Sequence, residues 1–193
     1  LLALAENRIP VNVTAVVPAV ENRISPDSMV PGDIVTSMSG KTIQIDNTDA
    51  EGRLILADAI TYAIQKERAS RVVDIATLTG ACANALGHLT AGLVSNDDAL
   101  CAALLEAASR SGEQYWRFPA FPEYAKMIES PVADLCNQSS DGCGAITAGL
   151  FLGAFAGDVP WVHVDIAGTA WADRARREYQ SVGATGAGVT TLY

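Results

Sequence analysis

Two carboxylates and a guanidinium stand at alternate positions in Asn47-Thr48-Asp49-Ala50-Glu51-Gly52-Arg53. If this stretch is extended, alternation turns Asp49, Glu51 and Arg53 to one side. Hard anionic oxygens converging there suit one or two divalent cations, and an arginine beside them can clamp an anion. A plainer reading is equally open on spacing alone: Asp49 and Glu51 cap a helix and favour its positive end. Both readings need the stretch to lie where a strand ends and a helix begins. The flanks supply this, with the β-branched run Thr42-Ile43-Gln44-Ile45 before it and an apolar helical pattern from Leu54 after it.

The elements that position these residues follow from the patterning. Residues 1–8 read as the tail of an amphipathic helix ended by Pro10. The tail lacks a basic leader and a cleavage site, so the expectation is a piece of something longer rather than a signal peptide. Residues 11–20 are Val- and Ala-rich without alternation, which predicts a strand buried on both faces. A loop is expected over 21–32. Short β runs at 33–38 and 42–45 are split by Ser39-Gly40-Lys41, as in a hairpin.

Residues 52–68 form the clearest helix, with Leu54, Leu56, Ala59, Ile60 and Ala63 on one face. Strands are predicted at 71–76, 89–95 and 161–168, an extended piece at 116–119 and a candidate strand at 132–135. Helices are predicted at 99–110, stopped by Gly112, at 123–129 and, buried, at 145–155. Polar or charged loops are expected at 138–144 and 174–179. Strands alternating with helices, several uniformly apolar, imply an α/β fold in three α/β/α layers around a mixed, largely parallel sheet. No linker or repeat divides residues 1–193. In such sheets ligands bind at strand carboxyl ends, so Asp49 to Arg53 and the turn Thr77-Leu78-Thr79-Gly80 are expected to share one cleft.

Composition excludes other chemistries. Of 193 residues, 49% are hydrophobic and 18% charged, which is a folded composition. The net charge of -9 argues against a nucleic-acid surface, and the one dense basic cluster, Arg174-Ala175-Arg176-Arg177, reads as a solvated loop. No apolar run reaches the length of a membrane span. Cys82, Cys101, Cys136 and Cys143 show no metal or disulfide spacing and read as free thiols in a reducing compartment.

Gly40-Lys41-Thr42 lacks the upstream glycine of a phosphate-binding loop. Gly183 to Gly188 lacks the third glycine of a dinucleotide fingerprint, Thr191 standing in its place. There is no G-x-S-x-G and no H-E-x-x-H. With two histidines in the chain, an imidazole-built zinc site is nearly excluded. His163 lies inside a strand and reads as a satisfied core or interface histidine, Asp165 as structural with it, and His88 has no assigned role. The carboxylates remain as metal ligands.

At Asn47-Thr48-Asp49-Ala50-Glu51-Gly52-Arg53 the chain resembles the leucyl aminopeptidases, the M17 dinuclear metallo-exopeptidases. Pro31-Gly32-Asp33-Ile34-Val35, Asp74-Ile75-Ala76-Thr77-Leu78-Thr79-Gly80-Ala81, Ser95-Asn96-Asp97, Ser130-Pro131, Gly144-Ala145-Ile146-Thr147-Ala148, Asp165-Ile166-Ala167-Gly168-Thr169-Ala170-Trp171 and Gly183-Ala184-Thr185-Gly186 follow the family in order. The resemblance covers essentially the whole chain and favours the metal reading over the bare cap.

It implies removal of an N-terminal residue, often leucine, from peptides. Asp49 and Glu51 would be metal ligands, Glu51 bridging two divalent ions: zinc or manganese, with magnesium or cobalt as alternatives. Arg53 would hold a bicarbonate acting as general base on the metal-bridging water. Backbone groups of Leu78 and Gly80 would bind the peptide, with Thr77 beside the side-chain pocket. The resemblance also implies a cytoplasmic homohexamer.

The sequence departs from the family in one respect. The family's remaining ligands, a lysine and two aspartates, and its second active-site lysine come from an upstream segment. The lysines here, Lys41, Lys66 and Lys126, lie in no such motif. The expectation is therefore a C-terminal portion of the catalytic domain carrying about half the metal site and inactive alone. The alternative is a non-catalytic truncated relative or scaffold subunit.

Overall fold

In the computed structural model, which describes every residue except Arg177 and Tyr179, the chain opens with a short helix, α1 (Leu2–Glu6). Residues 11–20 then depart from expectation. They join no sheet, and Val11, Val13, Val17 and Val20 are 50–82% exposed. Uniform apolarity signals burial, but a strand also needs a neighbour for its N–H and C=O groups, and no described strand pairs with this segment.

The hairpin around Ser39-Gly40-Lys41 is present. Strands β1 (Ile34–Thr36) and β2 (Thr42–Gln44) pair antiparallel, Val35 opposite Ile43. A turn of 3₁₀ helix over Thr48–Ala50 leads into α2 (Gly52–Gln65), three residues shorter than predicted. Then come β3 (Val72–Ala76), α3 (Gly80–Leu86) and β4 (Thr90–Ser95). Asp97 caps α4 (Asp98–Ser111) by accepting from the Leu100 amide at 2.6 Å, and Gly112, at φ 80, ends it.

Strand β5 (Gln114–Arg117) is followed by α5 (Pro122–Ala125), which tightens into a 3₁₀ turn over Lys126–Ile128 where one continuous helix was expected. Strand β6 (Leu135–Cys136), α6 (Gly144–Ala156), β7 (Trp161–Asp165), the pair β8 (Trp171–Ala172) and β9 (Gly183–Ala184), and α7 (Val189–Leu192) complete the chain. The charged loop expected over 174–179 includes the two residues outside the description.

Among the described residues the strands form three sheets. The central one has the order β3-β7-β4-β5, with β3–β7 and β4–β5 parallel and β7–β4 antiparallel. It is mixed and mostly parallel, as the sequence implied. A smaller sheet adds β6 parallel to β2, with Gln44 opposite Cys136. The third is the antiparallel β8–β9 pair.

Period-2 alternation along β7 sorts the two faces. Val162 and Val164 pack with Leu93, Cys101 and Leu104 beneath α4. Trp161 faces the other way, into the core of Ile60, Val94, Phe151, Leu152 and Phe155 under α2 and α6. The result is helix, sheet, helix. Helix α6 is apolar around its circumference and is buried accordingly.

Gly149 lets α6 approach the sheet. A Cβ there would lie 2.5 Å from Val94 Cγ2 and 2.6 Å from Val94 Cβ. Gly149→Ala is expected to destabilise the chain by about 2 kcal/mol, read as a lower urea midpoint with unchanged m-value. A midpoint equal to the parent's would show that α6 does not seat through this glycine.

Candidate active site

The local fold corrects the geometry expected of the acidic stretch. Asn47 is extended (φ -130, ψ 120), and its side-chain oxygen accepts from the Asp49 amide at 2.9 Å. Helical winding therefore starts at Thr48 and runs on through Glu51 (φ -72, ψ -33) into α2. On a helix, residues two apart point about 200° apart rather than together. Asp49 is exposed, Glu51 half-buried and Arg53 only 8% exposed.

The capping alternative is answered at the same time. Asn47 does the capping, and Glu51, at the head of α2, makes no side-chain cap bond. The Glu51 carboxylate instead accepts from Asn22 Nδ2 at 3.0 Å. Neither carboxylate makes a capping hydrogen bond, although Asp49 in the first turn and Glu51 at the head of α2 do stand at the positive end, as the plainer reading expects.

Asp49 and Arg53 line a cleft of about 250 Å³ together with Leu78, Gly80, Gln138 and Gly144. The expectation that the 49–53 turn and the Thr77–Gly80 turn share one cleft is met. Of the six residues singled out by sequence, Asp49, Arg53, Leu78 and Gly80 line it; Glu51 and Thr77 do not.

Asp165, at the end of β7, shapes the far wall. Its Oδ1 accepts from the Leu78, Thr79 and Ala167 amides at 3.2, 3.4 and 3.1 Å, and its Oδ2 from the Thr79 hydroxyl at 2.7 Å. Thr79 in turn accepts from the Cys82 amide and caps α3. Asp165 thus has the structural role read for it.

The Arg53 guanidinium is held from one side. Its NH1 group donates to the Asn137 carbonyl at 2.6 Å, while Nε is buried without a protein partner. Burial lowers the Arg53 pKa from its ordinary value; the charges of Asp165, Cys136 and Glu51 act the other way. A planar cation lining a cleft is suited to receiving an anion there.

Thiol chemistry has no support here. All four cysteines are free, and burial, then the Asp165 charge, pushes the Cys82 thiol up to about 12. His163 is satisfied at Nδ1 by Asp74 inside the core, as expected of a structural histidine, although its Nε2 has no protein partner.

Sequence reading missed Asn137 and Gln138. Asn137 is fully buried and bonds to the 46–47 backbone, and Gln138 accepts from the Asn47 side chain. They lie 90 residues along the chain from the stretch they hold, with no motif of their own. Only the β2–β6 pairing brings them there.

Asp49 and Glu51 fit hard divalent ions in kind, both being carboxylate oxygens. They fall short in number: among the described residues no group of three or more His, Cys, Asp or Glu side chains could hold a metal ion.

The family profile described as the cytosol aminopeptidase family, catalytic domain, matches residues 1–193. The chain belongs to the cytosol aminopeptidase family. A probable cytosol aminopeptidase of Alkaliphilus oremlandii is 57% identical over 183 residues, which are 95% of this chain and 36% of that protein. Its counterpart in Clostridium perfringens is 50% identical over 191 residues, 99% of this chain and 38% of that protein.

Among solved structures, a tomato leucine aminopeptidase mutant, K354E, superposes with TM-score 0.83 at 47% identity, covering 90% of this chain and 33% of that one. This aminopeptidase-family chain therefore spans two fifths or less of the length of these relatives. Among its described residues no helix is long and apolar enough to cross a membrane.

Proposed function

We propose that the protein represented by this chain is a metal-dependent aminopeptidase that releases N-terminal residues, leucine among them, from peptides. One observation carries the reading beyond family membership. A guanidinium buried among protein atoms shares a cleft with the exposed Asp49 carboxylate. Asp49 and Glu51 would hold two divalent ions, zinc or manganese, with ligands from outside the described donor set. Bound there, such ions lower the pKa of a coordinated water and polarise the scissile carbonyl.

Arg53 would orient a bicarbonate or an equivalent anion in the cleft, its guanidinium held from the other side by the Asn137 carbonyl. The backbone of Leu78 and Gly80 would bind the peptide in extended form, with Thr77 at the side-chain pocket and Asp165 holding that turn in place. Cytoplasmic location and a homohexameric assembly belong to the same reading.

The test is hydrolysis of leucine amide by the protein at its full native length. Turnover is expected with manganese or zinc, to be suppressed by a chelator, and to fail with N-acetylated leucine amide. No turnover with any divalent ion would end the proposal. The 193-residue chain alone is expected to stay at background, because two carboxylates cannot hold two ions in an open arrangement.

The shortage of donors also favours a second reading, a scaffold subunit without catalysis. Metal titration separates the two. The scaffold takes up no metal and tolerates Asp49→Ala, whereas the enzyme loses stoichiometry in Asp49→Asn and Glu51→Gln.

A further inference from the structure

We infer that Asn137 is the positioning residue of this site, setting both the start of the 47–53 turn and the lie of the Arg53 guanidinium. The inference builds on the aminopeptidase reading for its effect on turnover, and on geometry alone for its effect on the turn.

The parallel pairing of β2 with β6 ends at Gln44 opposite Cys136. One residue later the Asn137 amide still donates to the Gln44 carbonyl, at 2.9 Å. Beyond that point β2 turns away, and the Asn137 side chain takes over as a strand's backbone would. Its Oδ1 accepts from the Asp46 amide at 2.8 Å and the Asn47 amide at 3.1 Å, and its Nδ2 donates to the Asn47 carbonyl at 2.7 Å. The carbonyl of the same residue accepts from Arg53 NH1 at 2.6 Å.

Asn137 is 0% exposed, so water cannot substitute for any of these bonds. A chain of dependence follows. Asn137 fixes Asn47, whose side chain caps the Asp49 amide. That cap starts the winding that carries Glu51 and Arg53 to their places. The carboxylates and the guanidinium are thereby referenced to one asparagine just past the end of β6, outside the signature. An aspartate would keep the acceptor and lose the donor to the Asn47 carbonyl; an alanine would lose both.

The experiment compares Asn137→Ala and Asn137→Asp with the parent. In the 193-residue chain, amide exchange and the Arg53 guanidinium resonances are followed by NMR; in the full-length protein, leucine-amide kinetics are measured. In Asn137→Ala the Asp46 and Asn47 amides should exchange at least about tenfold faster, with Leu93 and Val164 in the central sheet unchanged. The Arg53 guanidinium should rotate faster about its Cζ–Nε bond. In Asn137→Asp the Asp46 and Asn47 amides should keep their protection. Turnover should fall in kcat more than it rises in KM, with the larger loss in Asn137→Ala.

Unchanged exchange at Asp46 and Asn47, exchange raised equally across the central sheet, or a loosened turn with normal kcat would each overturn the inference. If Asn137→Ala fails to fold, Asn137→Asp and the parent's guanidinium rotation decide it: a freely rotating parent guanidinium sinks it. If the turn loosens as stated but the parent protein has no peptidase activity, the aminopeptidase reading falls and the positioning of the turn stands.

Discussion

Arg53→Met is expected to lower leucine-amide turnover of the full-length protein by about 100- to 1,000-fold while leaving the fold at least as stable as the parent. The two effects differ in direction for one physical reason. Arg53 is 8% exposed, and burial already lowers its pKa. A buried cation is costly unless well paired, and removing that cost outweighs the Asn137 carbonyl's loss of its donor. What methionine cannot do is present an N–H edge to an anion in the cleft.

Arg53→Lys should fail nearly as badly, because one ammonium cannot both reach the Asn137 carbonyl and offer a planar fork to a ligand. Steady-state kinetics and thermal melting of the same preparations check both. A loss below about tenfold for Arg53→Met would remove Arg53 from the reaction. A large loss of stability would make Arg53 a structural residue instead.

The seven-residue stretch was legible because its parts are local. Asn47 caps, the β-branched run precedes and the apolar face of α2 follows, all within some twenty residues of sequence. Its handedness was not. Alternation predicted Asp49, Glu51 and Arg53 on one side, and the cap at Asn47 winds them apart because helix begins three residues before Glu51, at Thr48.

The strands at 71–76, 89–95 and 161–168 were readable from apolarity, and the polar alternation of His163 and Asp165 correctly marked one face of β7. The same signal failed at 11–20. Hydrophobic character reports what a segment would gain from burial, whereas pairing depends on a partner elsewhere in the chain, as it does for β2 and β6. Asn137 was invisible for a related reason: a single asparagine after a two-residue strand carries no periodicity, and its importance arises only from a pairing across 92 residues.

Asp74→Asn is expected to destabilise the 193-residue chain by about 3–5 kcal/mol, although Asp74 lies outside the cleft. Asp74 joins two strands. Its Oδ1 meets His163 Nδ1 at 2.5 Å, and its Oδ2 accepts from Trp161 Nε1 at 2.6 Å, with Trp161 and His163 each 1% exposed. An asparagine can serve one of these donors but faces the other with its own N–H groups, leaving a buried donor unpaired.

The pair also sets a pH dependence. Burial pulls the His163 pKa down, while the charge and hydrogen bond of Asp74, and then the Asp165 charge, push it up. Arg53 opposes, and the net result is a value above the ordinary 6.5. The folded state therefore binds a proton more tightly than the unfolded chain. The stabilisation this gives is complete below about pH 6.5 and is lost as pH rises through the folded value.

Urea unfolding of the parent at a series of pH values should thus show a His163 contribution that declines from neutral pH upward. Asp74→Asn removes the two largest upward causes, so that decline should vanish. His88 supplies the control, being the only other histidine in the chain: His88→Gln should leave the decline intact and His163→Gln should abolish it. A decline surviving in Asp74→Asn would show that the buried pair is not its source.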